Sequence, residues 1–360
     1  MNVRVFGVFF FCIFFLSSNA WSVPIHNQNG NKLYVDGRII TRHFLSSNQT
    51  MNGDGTLARL NIWGETNITN SVNSYGRFEH DFRGNKAEGE SSGMSYTRFA
   101  YAGISAFKYG NLDYGRNNAI MYDIVGWTDI FPVWGASSFK NDNFLVRKGN
   151  GLLSYHNHNF FSLVKGIDFG LQYQGKNESN SRSVLQQNGD GYGASISYRF
   201  ADSGIVLGGG YTSSQRTFDQ KELSTGHGDK AEAWIAGAKF TINPFYFAGF
   251  YSESHNLTQL SNNGFGNKGF ANKAQHIELV ASWESPWKLI TSMGYIQSKA
   301  KDVEGIGNAW IERSLLYFIA LPLNSHFRFT AEYNMSLLSD NNILHLANDD
   351  VLALSMIYDF

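Results

Sequence analysis

The run Tyr75-Gly76-Arg77-Phe78-Glu79-His80-Asp81-Phe82 decides the fold class. Read with period two, it separates into Arg77, Glu79 and Asp81 on one face and Phe78, His80 and Phe82 on the other, the signature of a strand. Phe327 to Met335 divides the same way, with Phe, Phe, Ala, Tyr and Met opposite Arg, Thr, Glu and Asn. From His276 to Trp283, Ile277, Leu279, Ala281 and Trp283 oppose His276, Glu278 and Ser282, with Val280 as the exception. The polar faces carry charge. A soluble sandwich turns its apolar faces onto a dry core, where each unpaired charge is very costly. Apolar faces outward to lipid and charged faces inward to water fit these strands better.

Working outward, sixteen such segments begin near Lys32, Gly55, Ser74, Ser95, Gly110, Gly149, Ile167, Gly191, Gly204, Ala231, Phe245, Gln275, Lys288, Arg313, Phe327 and Asp350. The even count suits an up-and-down barrel. Short links near Asn70, Ala201-Asp202, Asn243-Pro244, Ser285-Pro286 and Asn324-Ser325 alternate with long polar loops. Gly84 to Gly93, Lys176 to Asp190, Ser252 to Lys273 and Leu338 to Asp349 are examples of the latter. Short turns on one rim and long loops on the other are the asymmetry of an outer-membrane barrel. In hydrocarbon every backbone polar group must be paired, which a strand achieves only in a closed ring. The expectation is an all-β, sixteen-stranded antiparallel transmembrane barrel over residues 23–360. Its last strand, Val351 to Phe360, places Leu352, Leu354, Met356, Tyr358 and Phe360 on one face, and its terminal Phe suggests an assembly signal.

Composition excludes other classes. With 29 Phe, 18 Tyr and 8 Trp, the chain carries too much apolar surface for disorder. Beyond residue 22 the longest apolar stretch, Leu315 to Leu323, is about half of the ~18 residues a spanning helix needs. Lys and Arg total 29 against 30 Asp and Glu, so no net attraction for nucleic acid exists. Met1 to Ser22 reads as a secretory signal: Arg4, an apolar core from Val5 to Leu16, then Ser17-Ser18-Asn19-Ala20, with a mature start expected at Val23. Arg4 is the only charged residue there, so its loss takes the formal net charge from −1 to −2. Cys12, the sole cysteine, lies in that core, and the mature chain has neither disulfides nor thiolate metal ligands.

Catalytic motifs are weak. Gly89-Glu90-Ser91-Ser92-Gly93 matches a nucleophile elbow in letters but lacks the helix that an elbow requires. His156-Asn157-His158 has no evident acid or third ligand. Gly208 to Gly210 reads as small residues at a packing surface. No cofactor is called for. The connection from about Asn118 to Phe144 is the unusual element, because structureless loops above about 15 residues tend to be functional or disordered. Tyr122, Trp127, Ile130, Phe131, Trp134 and Phe144 need somewhere to pack. Folding inward would satisfy them and bring Asp123, Asp129, Asp142 and Lys140 near the barrel wall.

Short motifs along the whole chain carry a resemblance. They include Gly30-Asn-Lys32, Ala58-Arg-Leu60, Gly64-Glu-Thr66, Asp113-Tyr-Gly-Arg-Asn117, Gly175-Lys-Asn-Glu178, Gly269-Phe-Ala-Asn-Lys273 and Ser298-Lys-Ala-Lys-Asp-Val-Glu-Gly-Ile-Gly307. Through these the chain resembles the trimeric general porins of Gram-negative outer membranes. The resemblance implies a homotrimer set among outer-membrane lipid and lipopolysaccharide, with passive diffusion of small hydrophilic solutes and ions. It also implies short periplasmic turns, long extracellular loops and a third loop folded inward to form a constriction. Arg38, Arg59 and Arg98 match the family's basic wall, and one member of the pair Arg147-Lys148 completes it, strand alternation allowing only one to face the lumen. Tyr122 and Asp129 match a constriction tyrosine and a loop aspartate. Val133 stands where the family has a glutamate and Ser137 where it has an aspartate, so weaker cation selectivity, or anion preference, is expected. Glu88 resembles the acid of a loop that latches into the neighbouring subunit, with Arg116 a partner for it. The alternatives are a substrate-selective sugar or anion channel, disfavoured because most aromatics fall on the lipid face, and a barrel hydrolase.

Overall fold

The computed structural model describes residues 25–90, 95–139, 141–179, 181–260 and 269–360. The expected leader with Cys12, Lys140, and Ser91 to Gly93 of the elbow-like motif lie outside the described residues. Among the described residues, one antiparallel sheet contains sixteen long strands, from Asn31–Ser46 to Val351–Asp359, and two short ladder pieces, His26–Gln28 and Gly53–Asp54. The last strand returns to the first, from Val351 opposite Ser46 to Asp359 opposite Arg38. Gly37 and Phe360 then exchange backbone hydrogen bonds of 3.1 and 3.0 Å, which carries the seam to the final residue. A Cβ at Gly37 would meet the Arg59 carbonyl oxygen at 2.2 Å and the Phe360 ring at 2.7 Å, so only glycine allows this closure.

The strand starts follow the alternation, with one displaced. The strand expected near Arg313 begins at Gly307, because the hairpin from Ile290–Val303 to Gly307–Pro322 runs on past the rim. It turns through Gly305 and Gly307 at φ of 67° and 77° and carries register shifts at Ser298/Lys299 and Ala300/Val303. One connection among the long loops is therefore a tight turn. On the opposite rim, the link from Asn157 to Ile167 is longer than its neighbours and contains a left-handed turn over Asn159–Ser162, whose φ values run from 42° to 64°.

The two faces separate as expected. In Gly191–Arg199, Tyr192, Ile196 and Tyr198 are exposed on the outside, while Gly191, Gly193 and Ser195 are buried inside. In Val351–Asp359, Leu354, Met356 and Tyr358 point out and Val351, Ala353, Ser355 and Ile357 point in. Phe78 and Phe82 are exposed while Glu79 and Asp81 are buried. The irregular Val280 lies inside, in the cluster that receives the long connection, which explains an apolar residue on a polar face. No helix among the described residues is long and apolar enough to cross a membrane.

Candidate functional site

The chain between Asn118 and Lys148 packs inside the ring. Ile120, Met121, Ile124, Val125, Phe131, Phe139 and Phe144 are buried against inward side chains that include Ile235, Phe250, Val280, Ile296, Leu316 and Phe318. Full burial of such a side chain contributes roughly 1.5–3 kcal/mol. Space for them comes from glycines on the wall. A Cβ on Gly193 would meet Ile120 at 2.6 Å, one on Gly208 would meet Ile124 at 2.5 Å, and one on Gly294 would meet Phe131 at 2.7 Å. Gly208 is thus the packing-surface glycine that the sequence suggested.

Polar anchors fix the pose. Asp123, on the helical turn Tyr122–Val125, accepts from Ser195 Oγ at 2.5 Å and from His156 Nε2 at 3.2 Å. The acid that the sequence could not find for His156 is therefore brought by the loop. His158 pairs separately, with Asp168 at 3.3 Å, so the two histidines do not share a site. Buried Glu278 accepts from Thr128 Oγ1, and from Ser138 N and Oγ at 3.0 and 2.5 Å. Ser137 Oγ donates to Glu312. Glu332 accepts the Val133 and Trp134 N–H groups at 3.0 and 2.9 Å. Tyr122 donates to Asp129 at 2.5 Å, and burial followed by the Asp129 charge pushes its phenol well above the ordinary range, so it keeps its proton.

The facing wall is basic but not free of acid. Arg59 forms a bidentate pair with Asp81 at 2.6 and 3.0 Å. Arg98 and Arg77 take the two oxygens of Glu79 at 2.5 and 2.6 Å. Three guanidiniums thus share two carboxylates. Arg38 pairs with Asp359 at 3.1 Å, and Arg42 donates to Ser355 at 3.2 Å. Arg98 enters through a β-bulge: the register shifts between Glu79 and His80, leaving Arg98 unpaired between Thr97 and Phe99. Both Arg98 and Phe99 then reach the interior, which strict alternation forbids. The Phe99 ring lies 4.5 Å from the Arg77 guanidinium carbon and 5.3 Å from the Lys148 ammonium.

Arg147 and Lys148 also depart from alternation. The strand begins only at Lys148, so Arg147 belongs to the end of the loop and is not bound by the pleat. Both side chains turn inward: Arg147 donates to the Gly135 carbonyl at 3.2 Å, and Lys148 lies 5.3 Å from the Tyr122 ring centroid. The structure therefore brings Tyr122, Asp129, Val133 and Ser137 onto one inward segment, while Arg38, Arg59 and Arg98 lie on the inner wall. Arg116 is engaged within its own chain, by Asp142 at 2.7 Å, Thr97 O at 2.7 Å and Asn150 at 2.9 Å. Glu88 is exposed on the helical turn Glu88–Glu90. The inner face also carries aromatics, among them Tyr34 stacked on Trp63 at 3.9 Å.

Sequence reasoning missed the wall acids Glu79, Asp81, Glu278, Glu312 and Glu332. Alternation placed Glu79 and Asp81 beside arginines of the neighbouring strands, but the loop partners of Glu278, Glu312 and Glu332 lie 140 to 199 residues away, a pairing that no local pattern encodes. No group of three His, Cys, Asp or Glu able to hold a metal occurs among the described residues.

The profile of the Gram-negative porin family matches residues 28–360. Outer membrane porin PhoE of Enterobacter cloacae is 41% identical over 345 residues, covering 96% of each chain. PhoE of Klebsiella pneumoniae is 42% identical over 352 residues, covering 96% of this chain and 97% of that one. Among solved structures, the Salmonella typhi OmpF complex with daunomycin superposes with a TM-score of 0.87 at 34% identity, covering 94% of this chain and all of that one. An OmpT variant of Vibrio cholerae superposes at 0.66 with 11% identity, a likeness of fold alone. A closed ring with outward apolar and inward charged residues, matched along almost its whole length by these relatives, makes the chain a member of the Gram-negative porin family, an outer-membrane barrel through which small solutes diffuse passively.

Proposed function

We propose that the segment 119–147 is the constriction of this pore and that its transverse field favours anions more than is usual in the family. The carrying observation is the imbalance across the gap. On the loop, Asp129 is the acid left near the aperture, since Asp123 is spent on His156 and Ser195, and Asp142 on Arg116. Facing it are Arg38, Arg59, Arg98, Arg147 and Lys148, moderated by Asp359, Glu79 and Asp81. Val133 and Ser137 contribute no charge. Selectivity then follows from aperture and field, with no bond made or broken. Reversal potentials in planar bilayers under a KCl gradient test this; strong cation preference would overturn it. Because fields are screened over about 10 Å at 0.1 M salt and about 3 Å at 1 M, the bias should shrink as salt rises.

The mature protein is proposed to start at Val23 after export and to work as a homotrimer among lipid and lipopolysaccharide, its short turns periplasmic and its long loops extracellular. Glu88 is the proposed latch into a neighbouring subunit. N-terminal sequencing of the membrane-extracted protein tests the cleavage site. A substrate-selective channel is the second reading, favoured by the inward Tyr34–Trp63 stack; saturable uptake of one sugar would establish it.

A further inference from the structure

We infer that the outer loops clamp the return limb of the constriction loop through Arg216, making this residue and Phe270 remote determinants of aperture. The inference rests on the reading that 119–147 constricts the pore. Arg216 is 5% exposed, and no carboxylate lies within ion-pair distance of it among the described residues. Its guanidinium instead gathers carbonyls: Nη1 donates to Gly226 O and, at 2.8 Å, to Gly228 O, and Nη2 donates to Gln220 O at 2.6 Å. Its plane also lies over the Phe270 ring, 4.9 Å from the centroid. A buried charge held by carbonyls and a ring gathers the chain after Gln215 into a compact fold on Phe270.

Phe270 is the link to the pore. Fully buried, it packs on the equally buried Phe144 at 5.7 Å, at the point where the inward loop turns back to the wall. Phe144 and Leu145 both sit at positive φ, 58° and 64°, a conformation that neither side chain favours. Such a turn persists when its surroundings hold it. The holding contacts come from three outer loops. Asn143 Nδ2 donates to Leu185 O and Gln187 O at 3.1 and 2.7 Å, and Asn141 donates to Leu257 O at 2.7 Å. Gln220 Nε2 reaches Val184 O and Gln187 O at 2.9 and 2.6 Å, and Gln259 reaches Leu185 O at 2.8 Å. The described parts of the loops after Gln174, Gln215 and His255 therefore form one interlocked cap, with the constriction's return limb as its floor.

The test compares wild type with Arg216→Ala, Arg216→Lys, Phe270→Leu and Asn143→Ala in planar bilayers, each first shown to insert as a heat-modifiable barrel. The expected result is noisier open channels, closure at lower voltage, and a polymer exclusion limit shifted to larger neutral polyethylene glycols. Arg216→Lys, which keeps a cation for the carbonyls, should restore part of the wild-type behaviour. Phe270→Leu and Asn143→Ala carry the test should Arg216→Ala not insert. Wild-type noise, closing voltage and exclusion limit in the inserted variants would overturn the clamp. Val133→Glu serves as the control: a response there with none at the clamp defeats this inference alone, whereas silence at Val133→Glu defeats the constriction reading beneath it.

Discussion

At Val133 the side chain and the backbone do separate jobs. The side chain supplies no charge, while the N–H helps to dock the loop on Glu332. Val133→Glu keeps the backbone N–H that docks on Glu332 and adds a carboxylate to the inward loop. It should move the KCl reversal potential toward cation preference, and more at 0.1 M salt than at 1 M, where screening shortens to about 3 Å. Glu278 offers the converse, an anchor without an aperture role. Its carboxylate accepts from Ser138 N, Ser138 Oγ and Thr128 Oγ1 in a buried setting. Glu278→Ala strands those donors at a cost of about 1–3 kcal/mol. The cost should appear as faster protease cleavage within 119–147 while reversal potential barely moves; unchanged cleavage would mean that the apolar contacts alone hold the loop.

Among the elements, the inward loop and the glycine-bearing strands form a matched pair. Gly208 admits Ile124 and Trp127, which a Cβ would approach to 2.5 and 2.7 Å. Gly208→Val overfills that seat by about 1–3 kcal/mol and pushes the helical turn Tyr122–Val125 off the wall toward the aperture. Single-channel conductance should fall; conductance equal to wild type would show that the loop yields elsewhere. The strands themselves were legible, since a pleat of period two between lipid and water leaves its mark on nearly every residue. The bulge at Arg98 was not, because an extra residue shows only when two strands are laid side by side. The same limit hid the inward course of Arg147, which sits before the strand that was supposed to orient it.

For the whole molecule, the interior divides into two halves with different physics. One half is filled by the loop, packed against Ile235, Phe250, Leu316 and Phe318; the other keeps the arginines of the first strands and their acids. The sequence announced a watery ring and a loop in need of burial, but not that the loop would take one side, because that choice depends on glycines and valines scattered over distant strands. Assembly beyond one chain follows the same logic of occupied partners. Arg116 already binds Asp142, Thr97 O and Asn150 within its own subunit, so Glu88 from a neighbour would join a satisfied network and not complete an empty pair. Its contribution should then be that of an exposed ion pair, about 0.2–1 kcal/mol at each subunit contact. Glu88→Ala should lower the temperature at which the proposed trimers dissociate on denaturing gels by a modest amount and leave conductance unchanged. Arg116→Ala should do more, since it also releases Asp142 at the root of the constriction. Equal losses of trimer stability in both variants, with wild-type channel noise in each, would mean that Arg116 serves the subunit contact alone and that its bond to Asp142 contributes nothing to the pore.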